Sequence, residues 1–381
     1  MTIQETIAQI QPLSEPAIQS IQQQLHTAMT DAAGLGSLRE LLLRYAGITG
    51  SALPQKPKKC TIVCCADHGV AEMKVSAYPP ETTVQMTANY LISRGAVANA
   101  LSDFAGSDLL VADLGIAAPT EHLPGLLQRK IAFGTANCAK GPAMTRAQAE
   151  QALQTGIDLA SACIQEGYRC FLPGEMGIAN TTSSAAIVAC LCGLTPETAT
   201  GRGTNISDAR LKVKIDVVRQ ALDLNQPDPA DGLDVLQKVG GFELGCIAGI
   251  ILGAAAHHAF VVLDGFNTGA AALLAQAICP TSRDYLMASH LAAEPAHQAI
   301  LEKLGLYPYM DMKFRLGEAT GSSIAVNLLD AAITACTYLS QPADEQISES
   351  ALFFHETMPP AAVQLTDKTF IFYLRTLPEL D

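Results

Sequence analysis

The sequence predicts an α/β fold: a doubly wound, Rossmann-like parallel sheet with a small helical domain formed from both termini. Three observations predict it. Apolar runs at 60–66, 109–114 and 260–263 show no polar alternation, as strands covered on both faces do. Helix-length segments separate the runs, which is the spacing of β-α-β units. Glycines and polar residues recur directly after them, at Asp67-His68-Gly69, Gly115 and Asp264-Gly265, where open α/β sheets bind ligands.

Residues 1–50 open the chain with Ile3, Ile7 and Ile10, then Ile18, Ile21 and Leu25, then Leu38, Leu41 and Leu42 at helical spacing. Gly47 and Gly50 close that segment, and the basic cluster Lys56-Pro57-Lys58-Lys59 reads as a solvated linker. The strand 60–66 follows. Ser76, Ala77, Tyr78, Pro79 and Pro80 form a loop, and a helix from near Glu81 carries Gln85, Met86 and Tyr90. After the strand 109–114, a helix over 148–166 stops at Gly167 and feeds a short strand at 170–173. Thr200-Gly201-Arg202-Gly203-Thr204-Asn205 is a loop before a charged helix with Lys212 and Lys214. A surface turn at 225–231 leads to a helix from Phe242, the strand 260–263 and the turn 264–268. An Ala-rich helix, a strand at 285–288 ending in Ser289-His290, and a helix from Gly321 to about Ser340 complete the pattern. These boundaries assign 55–335 to a large catalytic domain and 1–54 plus 336–381 to the helical one.

Composition narrows the function. Of 381 residues 49% are apolar and 16% charged, enough for a sizeable core. A net charge of −13 with no basic stripe excludes nucleic acid as partner. Eleven cysteines without a Cys-x-x-Cys, several inside apolar runs, read as buried thiols in a reducing cytoplasm. The uncharged stretch 244–263 turns β-branched near Ala259, so it reads as a buried helix and strand, with no membrane partner expected. The polar start of the chain, with Glu5, is unlike a signal peptide.

The chemistry concentrates in two loops. Gly174-Glu175-Met176-Gly177-Ile178-Ala179-Asn180-Thr181-Thr182 reads as a turn into a helix, with donors gathered at the helix start. Such a place favours an anion and lets a ligand approach the backbone. The competing reading is a core helix capped by Asn180, Thr181 or Thr182. Arg315-Leu316-Gly317-Glu318-Ala319-Thr320-Gly321 again sets one acid between glycines ahead of a helix. Glu318 alone fits a helix N-terminal acid. Two such acids in matching settings are a rarer constellation.

These stretches, with Ala66-Asp-His-Gly-Val, Val75-Ser-Ala-Tyr-Pro, Thr200-Gly-Arg-Gly-Thr-Asn, Asp264-Gly-Phe and Ser289-His-Leu-Ala-Ala-Glu-Pro, resemble the nicotinate-nucleotide:dimethylbenzimidazole phosphoribosyltransferase family from about residue 60 to 340. The resemblance implies transfer of phosphoribose from nicotinate mononucleotide to an aromatic lower-ligand base of a cobalamin-type cofactor. It implies no cofactor and no metal, and a dimer of like chains or of two paralogues, some of which take phenols. By the same resemblance Glu318 is the catalytic base and Glu175 faces the donor ribose. Phosphate contacts fall on Gly201, Arg202, Gly203, Thr204 and Lys214. Ser76, Tyr78, Gln85 and Met86 line the base pocket. Gly174, Met176, Gly177, Asn180, Thr181, Asp264, Gly265, Arg315, Leu316 and Gly317 complete the substrate site.

The chemistry agrees. Loss of nicotinate from C1′ builds oxocarbenium character that a carboxylate stabilises, and the attacking azole must lose a proton to a base. Glu in an apolar pocket is suited to act as that base near neutrality. Asp67-His68 could be a metal pair, but the resemblance gives it a structural or donor-side role, and Gly201-x-Gly203 lacks the rest of a dinucleotide fingerprint. The chain departs from the resemblance at Ala179, Asn205 and Ala319, where glycine is expected. Asn tolerates left-handed geometry, whereas the two methyl groups are expected to reshape the pocket. Two rival readings are a non-catalytic partner of an active paralogue and a nucleotide hydrolase.

Overall fold

The structure, a computed structural model, describes residues 1–28 and 32–339. The expected helical segment over 336–381 therefore lies outside the described residues from 340 onward. Six parallel strands form the sheet: β1 Lys58–Ala66, β2 Ser107–Gly115, β3 Leu127–Gln128, β4 Tyr168–Met176, β5 Phe260–Leu263 and β6 Leu286–Ala288. Their order is β3-β2-β1-β4-β5-β6. The chain winds outward from β1 to β3, returns to β4 beside β1, and winds outward on the other side. That reversal opens a crevice beyond the carboxyl ends of β1 and β4.

Two details differ from the expected pattern. β3 has only two residues, too few for any periodicity to reveal. β4 does not stop before Gly174 but runs through Met176, with Gly174 paired to Val63 and Glu175 to Cys64. A β-carbon on Gly174 would lie 2.8 Å from the Ala319 nitrogen. The glycine thus serves a close approach of two backbones, not a turn. Lys59 is also corrected. It lies in β1, buried, and pairs with Asp330 at 2.5 Å, so the basic cluster is only partly a solvated linker.

The stretch 244–263 resolves into the fully buried helix Phe242–Ala256 and β5, as its composition requires. This helix packs on Arg146–Gln165 through glycines: a β-carbon on Gly156 would meet the Cys246 carbonyl oxygen at 1.9 Å. Among the described residues one helix, Thr320–Leu339, is long and apolar enough to cross a membrane; its Ala325, Val326, Leu329 and Ile333 are buried in the main core. The N-terminal helices Ile3–Gln9, Glu15–Ala28 and Ser37–Thr49 join the same core through Ile10, Ile21 and Leu41. Arg44 fixes them to β6 by donating to the Leu286 carbonyl at 2.8 Å. Most of the eleven cysteines are buried.

Candidate active site

A cleft of about 750 Å³ opens at the carboxyl edge of the sheet. Its walls include Tyr78, Met86, Glu175, Met176, Gly177, Asn180, Thr181, Gly203, Thr204, Gly265, Arg315, Leu316, Gly317 and Glu318, so most of the expected residues converge. Gly174, Gly201, Lys214 and Asp264 stand just behind the walls.

The two acids come from different ends of the chain to one place. Glu175 leaves the end of β4, and Glu318 sits on the turn before the helix Thr320–Leu339. A β-carbon on Gly317 would lie 2.6 Å from Glu175 Oε1, so the second loop rests directly on the first carboxylate. Burial pushes the Glu175 carboxyl up to about 8; Asp264, Glu243 and Glu318 add to the rise, against an Asn267 hydrogen bond. Burial likewise pushes Glu318 up to about 7, with Asp264 adding and the Tyr90 hydroxyl opposing. Both groups thus sit within reach of neutrality.

The Glu318 turn is strained. Gly317, Glu318 and Ala319 all have positive φ, at 79°, 59° and 61°. For non-glycine residues this geometry costs on the order of 1–2 kcal/mol each. It is held from below. Asp264 Oδ1 accepts from the Gly321 and Ser322 amides at 2.7 and 3.1 Å, and Thr320 donates its hydroxyl to the Gly317 carbonyl at 2.7 Å. The Asp264 carboxylate is therefore committed to the helix start, beneath the cleft. Ala179 and Asn205 also adopt positive φ, 75° and 61°. All three departures from an expected glycine are thus left-handed positions. Ala179 and Ala319 are buried outside the cleft walls, so their effect is backbone strain, not the reshaped pocket expected of their methyl groups.

The helix Asn180–Cys192 has no side-chain cap. Its Asn180 and Thr181 side chains bond other side chains instead, so they do not act as simple caps. The Asn180 amide donates to Glu175 Oε2, and Thr181 Oγ1 accepts from Lys214 Nζ at 2.8 Å. Lys214 is buried, which lowers its pKa to about 8, and it also donates to the Gly201 carbonyl at 3.1 Å. The Gly203 amide donates to Glu294 Oε1 at 3.0 Å, and Glu294 Oε2 leaves no room for a β-carbon on Gly201. Gly201, Gly203, Thr181, Lys214 and Glu294 thus form one hydrogen-bonded cluster beside the cleft.

Three expected residues stand apart from the walls. Arg202 turns to Asp208 and the Ile206 carbonyl. Gln85 is exposed on its helix. Ser76 sits 3.3 Å from Thr204 Oγ1 and so joins the base-side loop to the loop 200–205. His68 belongs to a separate buried network, with Ser183 at 3.0 Å and Glu243 at 2.7 Å. Asn267, His290 and Phe314 also line the cleft; the sequence marks the first two only as residues of turns after strands, His290 within one of the resembling stretches, and assigns none of the three a role.

A family model described as Phosphoribosyltransferase matches residues 10–347. The chain is 45% identical over 345 residues to the nicotinate-nucleotide–dimethylbenzimidazole phosphoribosyltransferase of Chloroflexus aggregans, covering 91% of this chain and 98% of that protein. It is 45% identical over 329 residues to the enzyme of the same name from Geobacter metallireducens, covering 86% and 93%. The crystal structure of CobT from Thermus thermophilus superposes with a TM-score of 0.81 at 41% identity, over 84% of this chain and 96% of that one. The chain belongs to the nicotinate-nucleotide–dimethylbenzimidazole phosphoribosyltransferase family.

Proposed function

We propose that this phosphoribosyltransferase moves phosphoribose from nicotinate mononucleotide to a benzimidazole-type base, giving an α-riboside phosphate and nicotinate for a cobalamin-type cofactor. The observation that carries the reading is the pair of carboxyls, buried Glu175 and partly buried Glu318, that line one cleft. The donor phosphate lies by the Gly201–Gly203 loop beside the buried Lys214, whose ammonium supplies the cation there. The flat base lies against Tyr78, Met86, Met176, Ile178 and Leu316.

In the reaction the C1′–nitrogen bond to the pyridinium breaks, and its electron pair stays on nicotinate. An azole nitrogen forms the new bond to C1′ with inversion, and the proton on the other azole nitrogen passes to Glu318. The cationic donor favours the ionised form of Glu175, which then stabilises the developing oxocarbenium. The leaving pyridine departs neutral at nitrogen and needs no acid. Phenols remain proposed alternative acceptors, since Glu318 would take a phenol proton in the same way. A cytoplasmic enzyme working as a dimer, of like chains or with a paralogue, is part of the proposal; exposed Ile92, Val97 and Phe104 supply apolar surface for an interface. The helical domain built from both termini stays part of it too.

The test is an assay of the purified chain with nicotinate mononucleotide and a panel of benzimidazoles and phenols. Nicotinate release that depends on an added base, matched mole for mole by riboside phosphate, supports the reading. Release without any acceptor would make the chain a hydrolase. Silence that ends on adding a paralogue would make it one subunit of a pair.

A further inference from the structure

One wall of the cleft carries a buried unpaired acceptor, on Asn267, and a second side-chain acceptor, on His290, that nothing above uses. Asn267 stands in the first turn of the helix Phe266–Ile278, after β5. Its side-chain hydrogen bond to Glu175 favours the ionised carboxyl, so the amide nitrogen is the donor in it. Asn267 Oδ1 is then left facing the other way; it is buried and has no hydrogen-bond partner, in a residue only 8% exposed. An orphan buried carbonyl of this kind is costly unless something arrives to pair with it.

His290 stands on the turn after β6, and a similar count fixes which of its nitrogens is the acceptor. Ser289 has one hydroxyl proton, which goes to the Asp264 carbonyl at 2.8 Å. Ser289 Oγ and His290 Nδ1 are 2.8 Å apart, so the imidazole must be the donor in that bond. Neutral His290 therefore holds its proton on Nδ1 and presents a lone pair on Nε2. The ring lies edge-on to Phe314, at 5.3 Å between centroids, and Nε2 is turned toward Gly265 on the cleft wall. Burial keeps the imidazole below its usual pKa, hence neutral.

We propose that Asn267 Oδ1 and His290 Nε2 form a diol-reading subsite that accepts hydrogen bonds from the two ring hydroxyls of the donor pentose. Two O–H donors on adjacent carbons match two acceptors on adjacent strand ends, beside the carboxylate that faces C1′. The subsite selects ribose over deoxyribose, because a missing hydroxyl leaves one buried acceptor unpaired. Sites built to hydrogen-bond a hydroxyl reject the analogue lacking it far more strongly than apolar pockets reject a methylene. The inference rests on the phosphoribosyl reading of the cleft.

The test compares nicotinate mononucleotide with its 2′-deoxy and 3′-deoxy analogues, by calorimetric Kd and by kcat/KM with dimethylbenzimidazole. The wild-type chain is expected to disfavour each deoxy donor by roughly 100-fold or more. Asn267→Ala and His290→Phe should each shrink the discrimination against one of the two by about 10-fold or more. A role confined to holding Glu175 or the Ser289 turn would weaken all three donors in proportion and leave the ratios intact. Unchanged ratios in both variants, or a wild-type chain that accepts ribose and deoxyribose alike, overturn the subsite. The two substitutions sit on different elements, so one that unfolds leaves the other to decide. Tight, hydroxyl-dependent binding of the donor without any transfer would instead sink the reaction and spare the subsite.

Discussion

Gly317 lies so close to Glu175 that a β-carbon there would stand 2.6 Å from Oε1. The contact joins two loops far apart in sequence: the loop that carries Glu318 also packs directly against the Glu175 carboxyl. Gly317 carries φ of 79°, so any side chain would bring strain as well as a clash. Gly317→Ala should destabilise the fold by about 1–3 kcal/mol and lower kcat/KM more than 10-fold, by displacing Glu175. Thermal unfolding and steady-state kinetics on one preparation check both halves. An alanine variant of normal stability and normal rate would mean the two loops are not coupled.

Burial of the two carboxyls has a thermodynamic signature. Glu175 rises from 4.5 to about 8 and Glu318 from 4.5 to about 7 in the ligand-free protein. Between those limits the folded chain holds protons that the unfolded chain has released, so stability falls as pH rises from about 5 to 8. Glu175→Gln removes the larger part of that slope. At pH 8 it should be more stable than the wild type by roughly 1–3 kcal/mol, with little difference at pH 5. Denaturant midpoints at the two pH values check this. A wild type equally stable at both would show that neither carboxyl is held protonated.

Tyr90 faces Glu318 from the π-helical turn Asn89–Ser93, and its hydroxyl pulls the Glu318 carboxyl down against the rise that burial causes. Cys65, Glu175 and Asp264 are the other titratable groups around that pair. Tyr90→Phe should therefore move the acid limb of the kcat profile to higher pH, by about half a unit or more, with the fold intact. A pH–rate profile of the variant checks it. A limb that stays in place would separate Tyr90 from the base.

The sheet and both acid loops were legible in the sequence because their signals are local. Uninterrupted apolar runs mark β1, β2 and β5, and an acid between glycines marks Glu175 and Glu318. What was not legible depends on chain segments meeting. Gly174 reads as a turn residue until the Ala319 backbone is found against it, and Lys59 reads as solvated until Asp330 appears beside it. Asn267 and His290 look like turn residues, since only the pairing of β5 with β4 and of β6 with β5 turns them into one wall. The alanines at 179 and 319 stood out as departures, but the reason, a left-handed backbone, required coordinates.

The central claim is that Glu318 removes the proton of the attacking base. Its most direct test is single-turnover formation of riboside phosphate by Glu318→Gln with saturating nicotinate mononucleotide and dimethylbenzimidazole. The variant should bind the donor within about 3-fold of the wild-type Kd and form product roughly 10²–10⁴-fold more slowly. A glutamine variant that forms product at close to the wild-type rate contradicts the claim.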